Sequence, residues 1–270
     1  MIVSVALQPC GVGSVDRSVC VMLDVLRASS TMLAMFEVGA SELFLTATPE
    51  EAMATAEADR AAHWVCGERE GLAPPGFDFG NSPTEIMAAD FRRRRVIYAT
   101  SNGTNALRAI AAAPLVLVGG PRNALAVARL AAREATDRDC DVLIVCAGDD
   151  GGEAISLEDA CCAGLLVDRI QRYGLRLVAP EEANDAPETL ALDESAILVH
   201  RLYRSYLRAG AEGSSGRELM LSVFAECRNG RDLPRKGFAA DLDYCAEIDV
   251  STVVPRLVAR DGLLTVVAGP

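Results

Sequence analysis

Runs of four or five residues, apolar throughout but for Thr46, recur at 19–23 (VCVML), 43–46, 96–99, 115–118 and 142–146 (VLIVC), each followed by polar or glycine-containing stretches. Apolar runs this short, bounded in this way, predict buried strands rather than helices. Helix starts lie between them. Thr48-Pro49-Glu50-Glu51 sets a capping threonine before a proline at the first helical position and an acid at the third. Ser82-Pro83-Thr84-Glu85 repeats this arrangement, and Ser156-Leu157-Glu158-Asp159 is a similar box with Asp in the capping role. Strand alternating with helix predicts an α/β fold, a mostly parallel sheet layered with helices, with 1–270 as a single domain. Segments 19–56 and 95–128 share the order strand, polar loop, helix, strand, proline-started helix. The expected architecture therefore extends to two similar, intertwined halves.

In parallel sheets ligands gather beyond the carboxyl ends of the strands. Polar residues cluster at three such ends here: Asp24 to Thr31, Thr100 to Thr104, and Cys146 to Asp150 running on to Ser156. A further polar stretch, GEREGLAPPGFDFGNSPTE (67–85), is too rich in Gly and Pro for regular structure. Loops of that length inside a compact domain are usually functional, and Leu72, Phe77 and Phe79 are the residues expected to pin this one down.

Charge and composition narrow the partners. A net charge of −12 repels nucleic acid and anionic membrane surfaces, so neither is expected to bind. The one basic run, Arg92 to Arg95, reads as a solvated loop before a strand. No apolar span approaches the ~18 residues needed to cross a membrane, which leads to the expectation of a cytoplasmic location. The nine cysteines form no CxxC pair, and Cys20, Cys146 and Cys161 fall in apolar elements where a thiol acts as a small hydrophobe. His63 and His200 stand outside any motif, which argues against histidine-dependent hydrolase chemistry.

The strand ends carry groups suited to an anion. The TSNGT turn, 100–104, can aim backbone N–H groups at phosphate or sulfonate, although a tight turn with a helix cap has the same look. There is no P-loop and no GxGxxG after a strand; Lys236 is the only lysine. Arg27 and Arg69 are the natural clamps, since guanidinium matches phosphate or carboxylate bidentately. Asp24, Glu68, Glu158 and Asp159 would repel such a ligand unless they held a magnesium ion, which takes one or two carboxylates plus waters and substrate oxygens. Asp159 has the alternative of capping its own helix.

DVLRASST, GEREGLAPPGFDFGNSP, TSNGT, CAG…SLEDACCAG and DLDYCAEIDVSTVVP occur in that order from about Val19 to Pro255. Together they resemble the successive blocks of the 2-phosphosulfolactate phosphatase family. The resemblance implies a Mg²⁺-dependent enzyme that hydrolyses (2R)-2-phospho-3-sulfolactate, a small anionic phosphate ester, to 3-sulfolactate and phosphate. It points to Asp24, Arg27, Ser29 and Thr31; to Glu68, Arg69, Asn81 and Ser82; to Thr100, Asn102, Gly103 and Thr104; and to Gly148, Glu158 and Asp159. Among these, Asp24, Arg27, Glu68 and Arg69 are assigned to catalysis. Asp24, Glu68, Glu158 and Asp159 are the candidate magnesium ligands, with the nucleophile of an aspartyl-phosphate intermediate as the alternative role for Asp24. Ser29, Thr31, Asn81, Ser82, Thr100, Asn102, Gly103, Thr104 and Gly148 are assigned to substrate. Residues 180–235 match no block, and a homodimer is the default for such an enzyme. The competing readings are a phosphatase for another phosphorylated 2-hydroxy acid and a non-catalytic binder of such an anion.

Overall fold

The computed structural model describes every residue except 58, 179–189, 211–214, 261, 262 and 270. The five expected strands are present as β2 (Ser18–Leu23), β3 (Glu42–Thr46), β5 (Arg95–Ala99), β6 (Leu115–Gly119) and β7 (Asp141–Cys146). Five others were not expected: β1 (Ile2–Ala6), β4 (His63–Gly67), the short β8 (Ala191–Leu192), β9 (Arg256–Arg260) and β10 (Leu263–Val267). All join one sheet in the order β4-β5-β3-β10-β9-β6-β2-β7-β1-β8.

Pairing is parallel within β6-β2-β7-β1-β8 and within β3-β5-β4, while the β9–β10 hairpin joins the two blocks by antiparallel pairing on every side. Three reversals separate β6 from β3, so the two parallel blocks run in opposite senses. Read outward from the hairpin, β6-β2-β7 on one side answers β3-β5-β4 on the other. Helix α1 (Ala28–Glu37) leads from β2 in the first block to β3 in the second, and α4 (Gly103–Ala109) leads back from β5 to β6. Segments 19–56 and 95–128 thereby each place one strand in each block.

α1 is buried from Ala28 to Phe36, its first-turn Ser29, Ser30 and Thr31 donating to the carbonyl oxygens of Asp24, Val25 and Asn81 and the Met32–Phe36 stretch being apolar on every side, as expected of an enclosed helix. On the first block, α5 (Ala124–Asp137), α6 (Leu157–Val178) and α7 (Glu194–Ala209) pack the largest core, joined by α8 (Gly216–Glu226). The predicted helix starts hold: Thr48 Oγ1 accepts from Glu51 N–H ahead of α2 (Pro49–Glu57), and Ser82 Oγ from Glu85 N–H at the head of α3 (Pro83–Met87). In the 67–85 loop Phe79 packs against Trp64 and Phe91 as expected, whereas Leu72 is half exposed and pins nothing. Arg95 is not in a loop but opens β5, where it pairs with Glu42.

One glycine sets how closely β4 and β5 end together. Gly67 has φ +144°, and a Cβ there would lie 1.9 Å from the Ala99 carbonyl oxygen. Gly67→Ala is expected to cost about 3 kcal/mol in denaturant unfolding, because both the conformation and the contact are closed to a side chain. A change below about 0.5 kcal/mol would contradict the close approach.

Candidate active site

Asp24 follows β2 directly, and the chain turns there into α1. Its carbonyl oxygen accepts from Ser29 N–H at 2.9 Å and Ser29 Oγ at 2.7 Å, and its Oδ1 accepts from Ala28 N–H at 3.1 Å. Oδ2 takes no hydrogen bond from the described residues. It lies against Gly103, where a Cβ would come within 2.9 Å of it. The start of α4 can approach Asp24 this closely only because residue 103 has no side chain.

Asp159 joins two strand ends rather than capping its own helix: Oδ1 accepts from Val25 N–H at 2.8 Å, and Oδ2 from Gly148 N–H at 3.2 Å. Its neighbour Glu158 is 1% exposed, with Oε1 accepting from Asn229 Nδ2 at 2.9 Å and Oε2 buried without a partner. The same amide nitrogen donates to Asp149 at 2.7 Å. From the other block, Glu68 accepts Ser101 N–H at 2.7 Å and Gly71 N–H at 2.8 Å, which fastens the loop after β4 to the end of β5. Asn102 Oδ1 accepts Gly151 N–H at 2.9 Å, so the ends of β5 and β7 also meet.

Arg27 is 3% exposed. It donates to Asp241 Oδ2 at 2.8 Å and Gly71 O at 2.7 Å, and its guanidinium sits 4.3 Å above the centre of the Phe238 ring. Asp241, fully buried in α10 (Ala239–Ala246), also accepts from Ser82 Oγ at 2.7 Å and Thr84 Oγ1 at 2.6 Å. A buried ion pair survives desolvation only when its remaining polar atoms are satisfied, as these are.

These groups enclose a cavity of about 480 Å³. Asp24, Arg27, Glu68, Asn81 and Asn102 line it, together with Asp150, Arg228, Asn229 and Lys236. No lysine or arginine among the described residues pairs with Asp24, Asp149, Glu158 or Asp159. Burial, with the charges of Glu68, Glu158 and Asp149 added, pushes the Asp24 carboxyl up to about 7 against the pull of Ala28 N–H. Burial, with Asp24 and Glu158 nearby, lifts Asp159 well above the usual carboxylate range, and burial beside Glu158 raises Asp149. The cluster carries more negative charge than its neighbours balance.

The family model of 2-phosphosulpholactate phosphatase matches residues 10–260. The chain belongs to the 2-phosphosulpholactate phosphatase family. A protein of Deinococcus radiodurans named probable 2-phosphosulfolactate phosphatase is 36% identical over 256 residues, 93% of this chain and 94% of that one. Proteins of the same name from Thermus thermophilus and Thermosynechococcus vestitus are 36% and 34% identical, over 90% and 87% of each chain.

The residues that resemble the blocks of the 2-phosphosulpholactate phosphatase family divide into distinct groups in space. Asp24, Arg27, Glu68, Asn81 and Asn102 face the cavity. Glu158, Asp159, Thr100, Gly103, Thr104 and Gly148 do not line it but pack around the residues that do: Glu158 accepts from Asn229, Asp159 from Val25 and Gly148 N–H, Gly103 lies against Asp24, and Thr104 donates to Thr100 O at 2.7 Å. Ser29, Thr31 and Ser82 donate their hydroxyls to Asp24 O, Asn81 O and Asp241 and are not among the residues that line the cavity. Arg69 does not join the site: its side chain is half exposed and pairs with Glu50 at 2.7 Å. Of the family of groups around the cavity, Asp149, Asp241, Arg228, Asn229 and Lys236 were missed. Arg228, Asn229 and Lys236 stand outside the quoted blocks, Lys236 having the signal of being the chain's single lysine, whereas Asp149 falls in the 146–150 strand end and Asp241 opens the DLDYCAEIDVSTVVP block.

The raised Asp24 carboxyl makes stability fall with rising pH. The folded state keeps a proton that the unfolded chain releases near pH 4, so stability is lost from about pH 4 to about pH 7 and then levels off. In EDTA, Asp24→Asn is expected to be more stable than the parent by about 2–4 kcal/mol at pH 8, with the gap closing toward pH 4. Urea unfolding at the two pH values checks this, and a gap independent of pH would contradict it.

Proposed function

We propose that this chain hydrolyses phosphate esters of 2-hydroxy carboxylic acids, with (2R)-2-phospho-3-sulfolactate as substrate and 3-sulfolactate and phosphate as products. The observation that carries the reading is the meeting of Arg27 and Asp24 in one cavity, in a chain that matches the phosphatase family from residue 10 to 260. The relatives' names supply the substrate, and the cavity chemistry suits it: such an ester bears about four negative charges near neutral pH.

A magnesium ion is part of the proposal. Among the described residues no three Asp, Glu, His or Cys side chains are arranged around one point. Magnesium does not need three, since one or two carboxylates suffice when waters and phosphoryl oxygens complete the shell. The donor chemistry fits: Asp24 Oδ2 and the buried, unpartnered Glu158 Oε2 are hard oxygens within a cluster short of positive charge. Asp24 and Glu158 would hold the ion, with Asn229 keeping Glu158 and Asp149 in place. The ion supplies charge neutralisation at a phosphoryl oxygen and polarises water or the ester toward displacement.

The chain's own residues do the rest. Arg27, fixed by Asp241 and Gly71 O, is pre-oriented and can stabilise charge on phosphoryl oxygens without first reorganising. Asn102 and Asn81 face the same space as polar contacts for the ester. Asp24 acts as a cation ligand in this scheme, because a carboxyl that holds its proton to about pH 7 is a poor nucleophile until a cation removes it.

Phosphate release by the purified protein tests the proposal. We expect release from 2-phospho-3-sulfolactate with Mg²⁺, its loss in EDTA and its return on adding Mg²⁺, with Asp24→Asn lowering kcat by about 10³-fold or more. Release from 2-phospholactate in preference would keep the reaction and change the substrate. No release from any phosphorylated 2-hydroxy acid would overturn the enzyme reading, and release unaffected by EDTA would overturn the role of the ion.

A further inference from the structure

The wall of the cavity opposite the strand ends comes from α9 (Arg228–Arg235) and the residue after it. Three cations face the cavity, and they are held differently. Arg27 is paired with Asp241 at 2.8 Å, and Arg228 with Asp150 at 2.7 Å. Lys236 donates to a neutral acceptor, the Glu70 carbonyl oxygen, at 2.7 Å. No carboxylate among the described residues lies within ion-pair distance of it. Lys236 is thus the cation at the cavity whose charge no acid answers, and two of its three donors are free for a ligand.

Its position is also fixed relative to Arg27. Arg27 donates to Gly71 O and Lys236 to Glu70 O, consecutive carbonyls of one loop. Gly71 has φ +81°, and a Cβ there would come 3.1 Å from Lys236 Nζ, so the ammonium rests over bare backbone. The loop therefore presents a buried guanidinium and an exposed ammonium side by side. The guanidinium's flat fork suits the phosphoryl group, whereas an ammonium, as a point charge, accepts carboxylate and sulfonate alike.

We infer that Lys236 receives the acid group of the substrate other than the phosphoryl, a carboxylate or sulfonate, and so sets the preference for acid-bearing phosphate esters. The inference rests on the phosphatase reading and adds the residue that selects the substrate class. Lys236 acts on binding rather than on the bond that breaks.

The full chain is compared as parent, Lys236→Met and Lys236→Arg on 2-phospho-3-sulfolactate, 2-phospholactate and isopropyl phosphate, which lacks any second acid. The readout is the preference for each acid-bearing ester over isopropyl phosphate, as a ratio of kcat/KM. Lys236→Met is expected to lower that ratio at least tenfold, through KM, and Lys236→Arg to restore it to within threefold. A loss confined to the sulfonated ester names the sulfonate as the group bound, and a loss shared with 2-phospholactate names the carboxylate. A general loosening of the loop lowers all three rates and leaves the ratio alone, and an unchanged ratio overturns the inference. If the parent hydrolyses none of the esters, the phosphatase reading has failed, and Lys236 is judged by calorimetric binding of 3-sulfolactate. Binding at least tenfold weaker in Lys236→Met supports the inference, and equal or absent binding overturns it.

Discussion

The structure depends on gathering Asp24, Asp149, Glu158 and Asp159 at the ends of two neighbouring strands while bringing no arginine or lysine into ion pairs with them among the described residues. Each of these carboxylates is tied instead to neutral donors: Asp24 to Ala28 N–H, Asp159 to Val25 and Gly148 N–H, and the other two to the Asn229 amide. Neutral donors orient carboxylates without cancelling their charge. Burial first, and the neighbouring carboxylates second, raise Asp24, Asp159 and Asp149 together, with no cation among the described residues paired to offset either.

Arg27 could have answered that charge, and its engagement elsewhere is what keeps the cluster unbalanced. Asp241, Gly71 O and the Phe238 ring hold it on the other side of the cavity. The result is a division of charge, with Asp24, Asp149, Glu158 and Asp159 gathered about the ends of β2 and β7, and Arg27 and Lys236 fixed on the carbonyl oxygens of Gly71 and Glu70 in the loop after β4. In the proposed function a phosphorylated acid would use both sides, one through a metal ion it shares and one through its own oxygens.

Much of this was legible in the sequence because it is local. Apolar runs gave five of the strands, and capping boxes gave the starts of α2 and α3. Asp24 and Arg27 could be assigned to a site because charges directly after a buried strand are costly without partners. The position of Glu68 was readable, but Arg69 was not: adjacent residues past a strand end point to opposite sides, and the arginine falls outside with Glu50. What holds Arg27 is 214 residues away, and Asn229 reaches back 71 residues to Glu158. No periodicity encodes such contacts. The β9–β10 hairpin and the opposed blocks it joins were equally hidden, since pairing partners are set by topology rather than by any one strand's pattern.

In the proposed function the unpaired acids take a divalent cation that is shared with phosphate. A crystal structure of the full chain with Mn²⁺ and inorganic phosphate, read by anomalous scattering at the manganese edge, tests it most directly. The expected result is an anomalous peak coordinated by Asp24 with Glu158, and a phosphate between that ion and Arg27. Manganese bound elsewhere, or an Asp24 cluster without metal at saturating Mn²⁺, would contradict it.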